Sequence, residues 1–266
     1  MRKFLIVLAV LCASPAWGLV PDAQQQAFNA SVRQGALTGV QALARSCGAG
    51  AQTAFLGGQK VVVRHPNQLW PALRSHQALY KMASEVGFGQ AVLPATWKQT
   101  QNGAAMITEH AGARFQAAID APRVARNNLP ERSRLLGALL HILADHIDGS
   151  IRNVMLSPSG ELRLIDLDAT NGRGPANGVR SAFYPGEPLA YGSAQGAFAQ
   201  LPPAAQRLVA HLADAPIQTL MNEYGYTWQE ARDVAWRARL IRSAGLTGAI
   251  RSVAGQRRSP THQFVQ

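Results

Sequence analysis

The sequence predicts an α+β protein in which a small mixed segment precedes a mainly helical one. Two patterns carry the prediction. Between Gly48 and Glu109 short β-type runs are punctuated by glycine pairs, and beyond Gly112 the apolar spacing turns helical, most plainly over residues 130–146. With 266 residues, 47% of them hydrophobic and 15% charged, the chain has material for one large or two small lobes around a substantial core.

The first stretch, MRKFLIVLAVLCASPAWG, sets Arg2 and Lys3 before an apolar run over 4–13 and then offers small residues at Ala16 and Gly18. That order is a secretory signal pattern, so residues 1–18 are expected to be removed and the protein exported to a periplasm or to the medium. The run is short for a membrane span, and no later segment supplies about 18 consecutive apolar residues, so no transmembrane helix is expected in the mature chain. The bulky Leu11 argues against lipoprotein processing at Cys12. Without the signal, Cys47 is the remaining cysteine; it closes no disulfide within the chain and reads as a small buried apolar side chain. The formal charge of +11 falls to +9 when Arg2 and Lys3 leave. The basic excess is nearly all arginine, and no basic run interleaved with aromatics supports a nucleic-acid partner.

Residues 19–46 read as a helical extension, with Phe28, Val32, Leu37, Val40 and Leu43 at helix-like intervals behind a start at Pro21 and Asp22. Residues 47–112 read as a small mixed lobe. A strand over 53–56 turns at Gly57-Gly58 into a second over 59–64, a helix spans 67–86 and ends at Gly87, and two short strands follow near 90–93 and 104–109. Residues 113–266 read as the helical lobe. There Leu135, Leu136, Leu139, Leu140 and Leu143 form a broad apolar face, residues 171–193 make a long Gly/Pro/Asn-rich loop, and helices resume near Pro202 and at Thr227, where Thr-Trp-Gln-Glu has the form of a capping box.

The chemistry concentrates in HIDGSIRNVMLSPSGELRLIDLD, residues 146–168. Residues 154–156 and 162–165 are strand-like, and a two-residue turn at Ser159-Gly160 would set Asn153 directly opposite Asp166. Asp148, at the end of the preceding helical run, adds a third oxygen donor. Oxygen donors of this kind suit a hard cation, and magnesium keeps one or two protein carboxylates while taking the rest of its shell from water and phosphates. The cofactor such a mouth implies is Mg-nucleotide.

HIDGSIRN followed by LIDLD resembles the catalytic loop and metal-binding segment of the protein-kinase-like superfamily, in which an HxD is followed after four residues by Asn and later by Asp. The resemblance implies a bilobal fold, ATP and Mg as cofactors, Asp148 acting on the acceptor hydroxyl, and Asn153 and Asp166 as metal ligands. It extends upstream. CGAGAQTAFLGGQKVVVRHP is similar to the family's glycine-rich loop and first two strands, with Gly48, Gly50 and Thr53 in the glycine positions. His146 is expected to be structural, and Glu109 and His110 fall where the inter-lobe hinge would offer its backbone to adenine.

The chain also departs from the family pattern. The strand that should end in a phosphate-pairing lysine ends in Arg64, with Lys60 on the same face four residues back; the following helix offers Gln77 or Glu85 where a glutamate would meet that cation; and Asp168 replaces a common glycine and could add a metal ligand. The expected activity is therefore phosphoryl transfer from ATP to a protein hydroxyl, with export pointing to an effector that works in another cell. Two alternatives share the scaffold. One is transfer to a sugar or lipid, or of a nucleotidyl group; the other is a pseudokinase that binds a partner without catalysis.

Overall fold

A computed structural model describes residues 22–42, 51–66, 68–145, 148–167 and 180–257. The signal segment, Cys47, Gly48, Gly50, His146 and Asp168 lie outside them.

Helix α1 (Ala23–Gln34) begins where expected, its N-terminus capped by Asp22, whose Oδ1 accepts the Gln25 N–H at 2.8 Å. Over 37–42 the anticipated helical stretch is instead a strand. Residues of β1 (Leu37–Ala42) pair antiparallel with β2 (Gln52–Leu56), and a register shift between Thr38 and Gln41 marks a bulge. The apolar spacing of 37–44 is too sparse to hold a helix on its own, and pairing at a sheet edge satisfies the same backbone.

From β2 the chain reverses at Gly57-Gly58 into β3 (Gln59–Arg64), setting Leu56 opposite Gln59. Both glycines have positive φ, +55° and +85°, the demand of a two-residue I′ turn. Helix α2 (Leu69–Glu85) follows. The strand expected near 90–93 is a 3-10 turn, Gly89–Ala91, with one bridge from Val92 to Leu164. The true strand is β4 (Ala95–Thr100), past Pro94, where Thr96, Trp97 and Thr100 favour an extended chain that pairs throughout with β5 (Gly103–Glu109). The resulting five-stranded antiparallel sheet runs β1-β2-β3-β5-β4. Phe28 and Val32 of α1 cover one face, packing on Ala54, Leu56, Val61, Val63 and Ile107 in a small core.

The second half contains β6 (Gln116–Ala117), α3 (Arg123–Asn127), α4 (Glu131–Leu143), β7 (Asp148–Gly149), β8 (Val154–Leu156), β9 (Leu162–Leu164), β10 (Arg180–Ser181), α5 (Pro203–Asp214), α6 (Ile217–Tyr224) and α7 (Trp228–Arg257). Every residue of α4 from Leu135 to Leu143 is buried, which makes it the central helix of the large core. Among the described residues no helix is long and apolar enough to cross a membrane.

Although α2 lies between two strands of the sheet in sequence, its apolar face belongs to the helical half. Ala78, Leu79, Met82, Ala83 and Val86 are part of the large core, whereas Leu69 and Leu73 pack with Ala95, Trp97 and Met106 of the sheet and Trp70 sets its ring on Trp97. Polar contacts follow the same seam. Arg74 donates from Nε and Nη2 to the two Glu230 carboxylate oxygens at 3.0 and 3.1 Å, Lys81 donates to the Glu223 carbonyl at 2.9 Å, and the Tyr224 hydroxyl donates to Glu85 at 2.6 Å. Glu230 is also the capping-box residue anticipated from Thr-Trp-Gln-Glu: its Oε2 accepts the Thr227 N–H at 2.8 Å, and Thr227 Oγ1 accepts the Glu230 N–H at 3.3 Å.

Candidate active site

In β3, alternation divides the side chains between the faces of the sheet. Val61 and Val63 turn to α1, so Lys60, Val62 and Arg64 take the opposite face, and Thr53 joins them as the cross-strand partner of Val62. Thus three upstream candidates, Thr53, Lys60 and Arg64, share one surface. Thr53 is buried and Lys60 exposed.

The hairpin of β8 and β9 differs in register from the expectation. Val154 pairs with Leu164 and Leu156 with Leu162, so Asn153 lies across from Ile165 and accepts its N–H at 3.0 Å; Asp166 is one residue beyond. The loop has three residues rather than two. Gly160 N–H donates to the Ser157 carbonyl at 3.1 Å, Ser157 N–H donates to the Glu161 carbonyl at 2.9 Å, and Gly160 sits at φ +81°, a type I turn closed by a left-handed residue. A Cβ at Gly160 would fall 2.5 Å from the Asn128 carbonyl, so the position admits no side chain. A slip of one residue would normally send Asn153 and Asp166 to opposite faces. It does not decide the matter here, because β9 has ended by Asp166, whose φ of +60° takes it out of the strand. Left-handed backbone is tolerated by Asp better than by most residues.

From that bend the Asp166 carboxylate is met by the other half of the molecule. Arg64 Nη2, at the end of β3, donates to Asp166 Oδ1 across a separation of 102 residues, with side chains 19% and 32% exposed. Both α2 candidates bond elsewhere. Gln77 donates from Nε2 to the Ala95 carbonyl at 3.1 Å, an oxygen that also accepts from Gln25 of α1 at 3.0 Å, and Glu85 is held by Tyr224. Gln77 thus fastens the outer strand β4 rather than facing a phosphate, because its helix leans into the helical core.

Asp148 lies on β7, which pairs in parallel with β10 and is followed by a 2.7 Å bond from Ala182 N–H to the Gly149 carbonyl. The returning strand is itself pinned to α4, since buried His141 Nδ1 and Ser181 Oγ are 2.7 Å apart and Phe183 sets its edge on His141 at 5.3 Å. The backbone bearing Asp148 is thereby tied through β10 to α4. Glu109 and His110 close β5 with their N–H groups already used, donating to the Pro94 and Lys60 carbonyls at 3.2 and 3.3 Å. The Glu109 carboxylate accepts from Gln59 at 3.0 Å. Burial, aided by the Lys60 charge, holds the His110 imidazole below its ordinary range, and its Nδ1 accepts the Gly112 N–H at 3.0 Å. The adenine contact expected of these two backbones therefore cannot use their donors.

The donor set suits a hard cation. Asp166 offers a carboxylate and Asn153 an amide oxygen, and Asp166 is open enough for the side chain of a distant strand to reach it. A planar guanidinium with several donors is matched in geometry to phosphate oxygens. What sequence reasoning missed is the Arg74–Glu230 seam. Its one signal was an arginine one residue after Leu73 on the helix that also carries Leu69 and Leu79.

A five-stranded antiparallel sheet in the first half and a mainly helical second half that carries the hairpin make the chain an α+β protein of two parts. No family model and no curated protein matches the chain. Among solved structures it is similar to the Helicobacter pylori proinflammatory kinase CtkA, with 8% identity and a TM-score of 0.47 over 82% of this chain and 97% of that one.

Proposed function

We propose that the chain is an ATP- and Mg-dependent phosphotransferase acting on a protein hydroxyl, exported and active inside another cell. The observation that carries the reading is the meeting of Arg64 and Asp166, which sets a permanent cation of the sheet lobe beside a carboxylate of the helical lobe. A triphosphate with its metal needs such a pairing of charges at one point. In this reading Thr53, Lys60 and Arg64 face the phosphates, and Asn153 and Asp166 hold magnesium, with Asp168 as a further ligand. Asp148 takes the acceptor proton as the hydroxyl oxygen bonds to the terminal phosphorus and the bond to ADP breaks. Bound magnesium would supply charge neutralisation on the phosphates.

The runner-up is a pseudokinase that binds a partner without turnover. It is favoured by Gln77, which is tied to the sheet edge instead of meeting the β3 cation. Transfer to a sugar or lipid, or of a nucleotidyl group, is a further variant of the same site. Incubating the mature chain with labelled ATP, magnesium and protein lysates separates these readings. A phosphate-sized mass increase on a protein, lost in Asp166→Asn and Asp148→Asn, is the expected result. A nucleotidyl-sized increase redirects the assignment, and equal turnover by Asp166→Asn and parent removes the metal role. The effector part of the proposal fails if the protein is active only before export.

A further inference from the structure

We propose that Arg114 and Arg163, set against the ring of Phe115, form a binding site for a phosphate dianion, either free or carried on a protein side chain. The site is separate from the nucleotide site described above. Three strands build it. β6 pairs with β8 and β8 with β9, which carries Arg114 and Phe115, the two residues before β6, onto the same small sheet as Arg163. Leu162 and Leu164 turn into the large core, so Arg163 takes the opposite face with its cross-strand partner Met155. There the guanidinium carbons of Arg163 and Arg114 lie 4.9 and 5.3 Å from the centre of the buried Phe115 ring.

Two cations on one ring repel, and they are unequally neutralised. Both Glu161 carboxylate oxygens lie 3.0 Å from Arg114 Nη2, and Oε2 also accepts from the Ser159 hydroxyl at 3.3 Å. Arg163 donates from Nη2 to the neutral Gln90 Oε1 at a long 3.3 Å, its Nε is buried without an acceptor, and among the described residues no carboxylate is ion-paired with it. Burial, opposed by the Glu161 charge, holds the guanidinium below its ordinary range, yet it stays charged at any working pH. A half-buried charge without a counter-charge is costly until something completes it. The anion suited to two neighbouring guanidiniums is compact, doubly charged and rich in acceptors, which describes phosphate. Gln90 is exposed and the Arg114 side chain is 62% exposed, so the anion has a way in, and the long bond to Gln90 is the contact it displaces.

Calorimetric titration of the full mature chain in EDTA at about pH 8, where a phosphomonoester carries two charges, tests the site with inorganic phosphate and with a short phosphoserine peptide. Binding is expected, with Arg163→Gln and Arg114→Gln each weakening it about ten-fold. Glu161→Gln removes the competing carboxylate and should tighten binding, whereas Arg64→Gln should leave it unchanged. The ratio of the two affinities in the parent tells whether the anion is taken free or on a protein. Circular dichroism and the unfolding midpoint check that each variant is folded; should Arg163→Gln fail to fold, Arg163→Lys, which keeps the charge and loses the fork, is expected to show a smaller loss. No binding of either probe by the parent, or parent-like binding by the Arg114 and Arg163 variants, overturns the inference and leaves the phosphotransferase reading standing. Binding abolished by Arg64→Gln overturns it by placing the anion in the nucleotide site.

Discussion

Arg74–Glu230 and Arg64–Asp166 both carry an arginine from the first half of the chain to a carboxylate of the second, 156 and 102 residues later. At the α2–α7 seam the side chains are 8% and 7% exposed, the fork is two-pronged, and the acceptor also takes the Thr227 N–H and hydroxyl. At the cleft the side chains are 19% and 32% exposed. The same chemistry thus serves two purposes. A buried, fully bonded pair is expensive to break, because either partner left alone is a charge without water. A half-open pair is exchangeable, because solvent or a ligand can replace either side.

The largest expected effect is that of Glu230→Ala, which strands Arg74 in the seam and removes the cap of α7. Urea unfolding should show a loss of about 3–5 kcal/mol, and Arg74→Met in the same chain should recover part of it. Acid provides a second approach to the seam. Burial alone would raise the Glu230 carboxyl, but the Arg74 guanidinium and the Thr227 donors outweigh it and hold the group below its ordinary range. A depressed folded pKa gives stability that is present above the unfolded value of about 4.3 and lost as pH falls through the folded one. Unfolding midpoints measured downward from pH 5 should therefore fall more steeply in the parent than in Glu230→Gln.

Tyr224→Phe tests the lower end of the seam. It deletes the 2.6 Å bond to Glu85, a carboxylate with water at hand, and should cost about 1 kcal/mol. Arg64→Gln should change stability least, by about 0–1 kcal/mol in the same assay, while phosphoryl transfer falls well below the parent. If the Arg64 variant were destabilised as far as Glu230→Ala, the distinction between a structural and an exchangeable pair would not hold.

Much of the architecture is legible in the sequence where one residue type is forced. Gly57-Gly58 had to turn because both backbones take positive φ, and Thr227 with Glu230 announces a helix start by a pattern three residues long. The hairpin over 154–164 was readable as a hairpin but not in its register. Ser157-Pro158-Ser159-Gly160 fits a two-residue or a three-residue loop equally, and the close approach of Asn128 to Gly160 helps decide between them. Strands β1 and β4 were missed or misplaced because an edge strand needs only a neighbour's backbone, which local spacing does not reveal. At the site, the positions of Arg64 and Asp166 followed from motif spacing. That they meet, while Gln77 is drawn to Ala95, depends on how far α2 leans into the helical core, a consequence of residues more than a hundred positions away.

The allegiance of α2 also bears on how the chain is made. The sheet and α1 emerge together and can close their small core early, but α2 emerges long before α5, α6 and α7, which complete its packing. With 156 residues between Arg74 and Glu230, a ribosome adding 5–20 residues per second leaves Arg74 without its seam carboxylate for roughly 8–30 s. During this interval the face bearing Leu79 and Met82 is the stretch of nascent polypeptide most in need of a holding chaperone.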